Sequence, residues 1–241
     1  MFLVIRMRQL ICGVLLCAVA VLCSLPVIQS RDGVDLPVFS AGVEERVVLV
    51  LDAGHGGEDG GAVSTGDPPV AESGLNLAVA LRVEALMVLL GQKTVMTRRE
   101  DVSIHSADVT GIRNQKASDL RNRAALVNGT ANAVLLSIHQ NSLPSSPVTH
   151  GAQVFWNSRE GAQEWAQGVQ DALNVAINRG NEKKTKQIPD SIYLMNHITA
   201  PGILVECGFL SNREETVQLC RPDYQLRLAT AITAGCGAME G

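Results

Sequence analysis

The chain has 241 residues, 46% of them apolar and 18% charged, with a formal net charge of −4. That balance excludes a disordered protein, 22 glycines without a fixed period exclude collagen, and the acidic charge argues against nucleic acid as a partner. Four Phe, two Trp and two Tyr are too few for a broad stacking platform.

Arg6 and Arg8 precede an almost unbroken apolar run, Leu10 to Ile28. A positive flank before such a run reads as an export signal or an N-terminal membrane anchor. The run is just long enough to span a bilayer, and no clean small-x-small cleavage site follows it. Both fates put the rest of the chain across a membrane. The expected organisation is residues 1–30 as signal or anchor, 31–45 as a polar linker, and 46–240 as one catalytic domain. Without the two arginines of the first segment, the remainder carries 18 basic and 24 acidic residues. Cys12, Cys17 and Cys23 lie in the apolar run. Cys207, Cys220 and Cys236 are an odd remainder with no framework spacing, so they are expected to be free thiols.

Arg46 to Leu51 is a β-branched run suited to a buried parallel strand, and it ends in the glycine-rich loop Asp52-Ala-Gly-His-Gly-Gly. Leu75, Val79, Val83, Leu86 and Leu90 fall on one helical face, predicting a helix from Gly74 that stops at Gly91. Lys93 to Thr97 predicts a short strand, and 100–117 a long loop without period. Ser118 is placed as the cap of a helix that ends at Asn128-Gly129. Strands are expected at Ala133 to Ile138, Gly151 to Trp156 and Ile203 to Val205. A helix is expected over 160–178, a charged loop over 181–190, and two helices near 212–220 and 222–237. Strands alternating with helices give an α/β class: a single domain with a mixed, mostly parallel sheet and helices on both faces.

Three strand ends carry side chains able to hold a metal or a proton: His55, His139 and Glu206. Glu72 joins them from the helix that follows the glycine loop. In open α/β sheets, ligands gather beyond the carboxyl ends of the strands. Two imidazoles and a carboxylate form the ligand set of a catalytic zinc, and a second, unbound carboxylate can move a proton. A histidine after a strand is commonly structural, so this reading competes with a bland one. His105, His150 and His197 are read as surface residues. There is no H-E-x-x-H helix, G-x-G-x-x-G, Walker loop or G-x-S-x-G elbow.

Leu51-Asp-Ala-Gly-His-Gly-Gly, Glu72, Ser137-Ile-His-Gln-Asn141 and Leu204-Val-Glu-Cys-Gly-Phe-Leu-Ser-Asn212 together resemble the zinc-dependent N-acetylmuramoyl-L-alanine amidases of bacterial cell-wall turnover, over about residues 46–238. The resemblance implies one Zn2+ held by His55, Glu72 and His139, with Glu206 as catalytic acid/base. It implies hydrolysis of the amide between the lactyl group of muramic acid and L-alanine in peptidoglycan. Cys207, directly after that glutamate, departs from the expected apolar or small residue, but a buried cysteine behaves as a small hydrophobe. The short chain, the absence of a long insertion after Trp156, and Met96-Thr-Arg98, Asp119-Leu-Arg121 and Ile192-Tyr-Leu-Met195 resemble sporulation and germination amidases of the CwlD type. That likeness implies peptide removal in spore cortex ahead of muramic δ-lactam formation, and it leaves room for an activator protein. Asp52 either orients a ligating imidazole or caps a turn. Asn141 either contacts the substrate or holds a loop. The rival functions are another zinc peptidoglycan hydrolase cutting within the stem peptide, and a non-catalytic wall-binding relative.

Overall fold

A computed structural model describes residues 46–237. The expected export segment (1–30) and linker (31–45) lie outside the described residues. Among those described, no helix is long and apolar enough to cross a membrane.

The order along the chain is β1 (Val48–Ala53), α1 (Glu72–Leu89), β2 (Lys93–Met96), α2 (Ile112–Asn128), β3 (Ala133–Asn141), β4 (Gln153–Trp156), α3 (Ala162–Ala176), β5 (Lys186–Gln187), α4 (Tyr193–Asn196), β6 (Gly202–Phe209), α5 (Arg213–Leu219) and α6 (Pro222–Cys236). The six strands form one sheet in the order β2-β1-β3-β6-β4-β5. Every neighbouring pair is parallel except β4 with β6. The expected mixed, mostly parallel sheet is therefore what forms.

Strand alternation divides the core in two. Leu49, Leu51, Leu136, Ile138, Ile203 and Val205 face α1, α3 and α6, packing on Val79, Val83, Val169, Leu173, Leu228 and Ile232. Val50, Leu135 and Leu204 face α2 and α4, packing on Ala124, Val127, Leu194 and Met195. The central strands are buried on both faces, which explains why their sequences are continuous apolar runs. From β1 the chain crosses to β2 on one side, then returns to β3 on the other. The crevice beyond β1 and β3 is thus a topological switch point, where such sheets bind ligands.

Several boundaries differ from the sequence reading. Helix α1 begins at Glu72, two residues before the expected Gly74, because Glu72 and Ser73 bury polar side chains instead. Helix α2 begins at Ile112 rather than being capped by Ser118. Its first turns are largely exposed, so they show no apolar period, and the buried Ser118 hydroxyl accepts from Ser106 N at 3.1 Å, bracing the preceding loop. Strands β3 and β6 run on through His139 and Glu206, so these two lie within strands and not past their ends. The two-residue β5 and one-turn α4 are too short to carry a period. Cys207, Cys220 and Cys236 are free thiols, as expected.

Two helical glycines test the packing. A Cβ on Gly235 of α6 would collide with the α3 backbone at Gly168 and Val169, whereas one on Gly74 of α1 would meet nothing. Gly235→Ala is expected to force the helices apart and destabilise the chain by about 1–3 kcal/mol. Gly74→Ala is expected to stabilise it by about 0.5–1 kcal/mol through helix propensity. Thermal unfolding of both variants checks the pair, and equal shifts would contradict the close α3–α6 approach.

Candidate metal centre and active site

The site is built at the end of β1. Its last carbonyls are gripped by two buried arginines. Arg98 donates from Nε to Ala53 O at 2.8 Å, and from Nη2 to Gly54 O at 3.0 Å and Ser73 O at 2.8 Å. Arg123 donates from Nη1 to Ala53 O and from Nη2 to His55 O, both at 2.8 Å. The residue so held, His55, has φ +61°, a left-handed conformation uncommon for any residue other than glycine. Arg123 is itself compensated by Asp52 and by Asp119, whose Oδ2 accepts from Nε at 2.6 Å.

Glycines let the pieces close up. A Cβ on Gly54 would strike the His139 ring, and one on Gly61, at φ +72°, would strike Glu72 and His55. Within this space the ligand atoms of His55, Glu72 and His139 all lie within 4.8 Å of one another. Glu72 is the hub, with His55 Nε2 at 3.3 Å from Oε2 and His139 Nδ1 at 3.0 Å from Oε1. Its carboxylate also accepts from Ala62 N at 2.8 Å, Gln140 N at 3.0 Å and Asn76 Nδ2 at 3.1 Å. As the first residue of α1, it also benefits from the positive end of the helix dipole. The other nitrogen of His55, Nδ1, bonds Asp59 Oδ2 at 2.9 Å. Lys116 holds the same carboxylate at 3.1 Å.

These contacts set the charges. Burial opposes ionisation of Glu72, but both imidazoles overcome it and hold the carboxyl well below the ordinary range. Burial likewise opposes the charge on His55, yet Asp59 and Glu72 raise its pKa to about 9. The carboxylate of Asp59 is held low, chiefly by its bond to His55.

Glu206 behaves oppositely. It is the β6 residue in register with His139 on β3. Its Oε2 is buried without a hydrogen-bond partner, and burial pushes its pKa up to about 7. A buried carboxylate oxygen with no partner needs one from outside the chain. Two imidazoles, an anionic carboxylate and a neighbouring unsatisfied carboxyl are a donor set that fits a zinc ion with one open position.

The other expected residues are placed differently. Asp52 is not on an imidazole. Its carboxylate takes Arg123, Thr97 Oγ1 at 2.9 Å and Ser137 Oγ at 2.6 Å; burial opposes its charge, but Arg123, Ser137 and the more distant His139 together bring its pKa to about 2. The carboxylate on a ring is Asp59, which sequence reasoning missed; its position four residues after His55, within the glycine loop, was the available signal. Asn141 lies on the β3 strand, past a register shift, and its Oδ1 accepts from Ser142 N at 2.7 Å, the loop-holding alternative. His197 stacks on Tyr193 at 3.8 Å, and His150 is exposed, both surface positions. Half-buried His105 bonds Ser103 Oγ at 2.9 Å. Arg123 and Asn76 were also missed; Asp119/Arg123 and Glu72/Asn76 each have the four-residue spacing of neighbours on a helix.

Comparison with known proteins agrees with this geometry. Residues 49–238 match the family model described as N-acetylmuramoyl-L-alanine amidase. The germination-specific N-acetylmuramoyl-L-alanine amidase of Bacillus subtilis (strain 168) is 38% identical over 189 residues, covering 78% of this chain and 77% of the relative. Among solved structures, the CwlD amidase from Clostridioides difficile in complex with the GerS lipoprotein superposes with a TM-score of 0.76 at 31% identity, over 80% of this chain and 98% of that one. An N-acetylmuramoyl-L-alanine amidase from Clostridium difficile 630 gives 0.69 at 26% identity, over 81% and 99%. The family match spans the glycine loop, the helix-borne Glu72 and the paired strands of His139 and Glu206, and the chain belongs to the N-acetylmuramoyl-L-alanine amidase family.

Proposed function

We propose that this amidase is zinc-dependent, with His55, Glu72 and His139 as ligands and Glu206 as the acid/base. The observation that carries the reading is the contrast of two carboxyls around His139: Glu72 on α1, kept anionic by two imidazoles, and Glu206, paired with His139 across β3 and β6, whose pKa burial raises to about 7. A zinc ion held there would polarise the scissile carbonyl and favour ionisation of water. Glu206 takes the proton from the attacking water as its oxygen bonds to the lactyl carbonyl carbon. It then gives that proton to the alanine nitrogen as the C–N bond breaks, and one residue serves both steps because its pKa lies near the working pH. The products are a free lactyl carboxylate on the glycan and a stem peptide with a free amino terminus.

The likeness to the germination-specific relative supports a role in spore cortex, before muramic δ-lactam formation. The apolar run Leu10–Ile28 supports export across the cytoplasmic membrane, with the chain either anchored there or secreted after cleavage. The neighbour solved in complex with a lipoprotein supports a protein partner for this chain, and an activator is the role we assign to it. A stem peptidase would release different fragments, which mass spectrometry of digested peptidoglycan distinguishes. A purely wall-binding relative would have lost a ligand or the base, and all four residues are present.

Glu206→Gln keeps the shape and removes the base, so zinc content should stay near one atom per chain while the rate falls by about 10²–10⁴-fold. Loss of zinc from that variant would make Glu206 a ligand instead. Asp59→Asn removes the carboxylate that fixes the His55 ring. Zinc affinity, read by chelator competition, should weaken about 10–100-fold, and an unchanged value would remove Asp59 from the site.

The raised pKa of Glu206 also has a signed effect on stability. In the metal-free chain the folded state keeps a proton that the unfolded state loses, so stability declines as pH rises from the ordinary glutamate range to about 7. Metal-free Glu206→Gln should therefore unfold with wild type near pH 4 and be more stable by roughly 1–3 kcal/mol at pH 8. Denaturant titrations at the two pH values measure this, and a pH-independent gap would contradict the assignment.

A further inference from the structure

Helix α1 begins with the Glu72 carboxylate of the metal site and ends in an exposed apolar tip. Val88, Leu89 and Leu90 are 57%, 81% and 71% exposed. The other large apolar side chains exposed among the described residues stand singly along the chain. The tip lies at the N-terminal edge of the sheet, where Lys93 pairs with Val48 and the Gln92 amide donates to Val47 O at 2.6 Å. The described chain enters the domain at that same edge, and upstream of it the sequence carries the apolar run Leu10–Ile28. Two exposed cations, Arg46 and Lys93, accompany the three aliphatic side chains there.

We propose that this tip rests on a phospholipid bilayer, as a second membrane contact of the domain; the proposal rests on reading residues 1–30 as a retained membrane segment. Three side chains fall far short of the roughly 20–30 residues a side that a stable protein interface uses. A bilayer surface requires no matching shape. It accepts aliphatic side chains at the acyl boundary, while Lys and Arg remain at headgroup level. The contact also sets an orientation. The 18 residues of α1, at about 1.5 Å each, hold Glu72 roughly 27 Å from the tip. The metal site then faces away from the lipid, toward the wall.

The test uses the full chain with vesicles whose lipid tails are brominated. Tryptophan is introduced by Leu89→Trp at the tip, or by Val217→Trp at an exposed position on α5, near the opposite end of the sheet. Native Trp156 and Trp165 give the same background in both. Brominated tails should quench the added emission of Leu89→Trp roughly twofold or more and leave that of Val217→Trp unchanged. Adding Val88→Asp and Leu90→Asp should abolish the quenching while the chain still sediments with vesicles. A chain that sediments but shows no quenching at residue 89, or equal quenching at both positions, overturns the tip contact alone. A wild-type chain that does not sediment with vesicles overturns the membrane reading and the tip with it. A dimer in the absence of lipid with residue 89 shielded makes the tip a self-association surface and overturns lipid docking.

Discussion

The site depends on the grip of Arg98 and Arg123 on three successive carbonyls at the end of β1. The chain must leave a buried parallel strand, turn at once, and present His55 in a left-handed conformation. The carbonyls of Ala53, Gly54 and His55 lose their ladder partners in that turn, and the two guanidinium groups replace them. Two like charges so close are costly: burial and then the proximity of Arg123 lower the pKa of Arg98. Asp52 and Asp119 make the arrangement tenable, and against burial they raise that of Arg123. A buried ion network of this kind contributes little net stability compared with apolar packing, but it fixes one geometry. Here the geometry fixed is that of the glycine loop that carries His55.

The two glutamates show how placement divides labour between identical side chains. Glu72 has five hydrogen-bonding neighbours and stays anionic. Glu206, one strand over, has an oxygen with none and holds its proton to near neutrality. Pushing the pKa values of two carboxyls apart in this way leaves one anionic and one able to hold a proton near neutrality, without any difference in chemistry between them.

The sheet was readable because its central strands are buried on both faces and so appear as apolar runs. The cluster of His55, Glu72 and His139 was readable because its members sit in short motifs that together resemble one family. Asp52 was left open between an imidazole and a turn because in sequence it adjoins the glycine loop; strand pairing sets it beside Ser137, where Arg123 claims it. Asp59 escaped notice because a glycine loop shows no periodicity from which a direction could be inferred. The start of α2 was missed because its first turns face solvent and bury almost nothing.

The position of β6 has a consequence for how the enzyme comes into being. It is the last strand in sequence, yet it lies between β3 and β4 in the sheet. A chain that has laid down only the earlier strands has no partner for β3 on that side and no Glu206 opposite His139. The full set of site residues therefore comes together only with the insertion of the strand that also completes both cores.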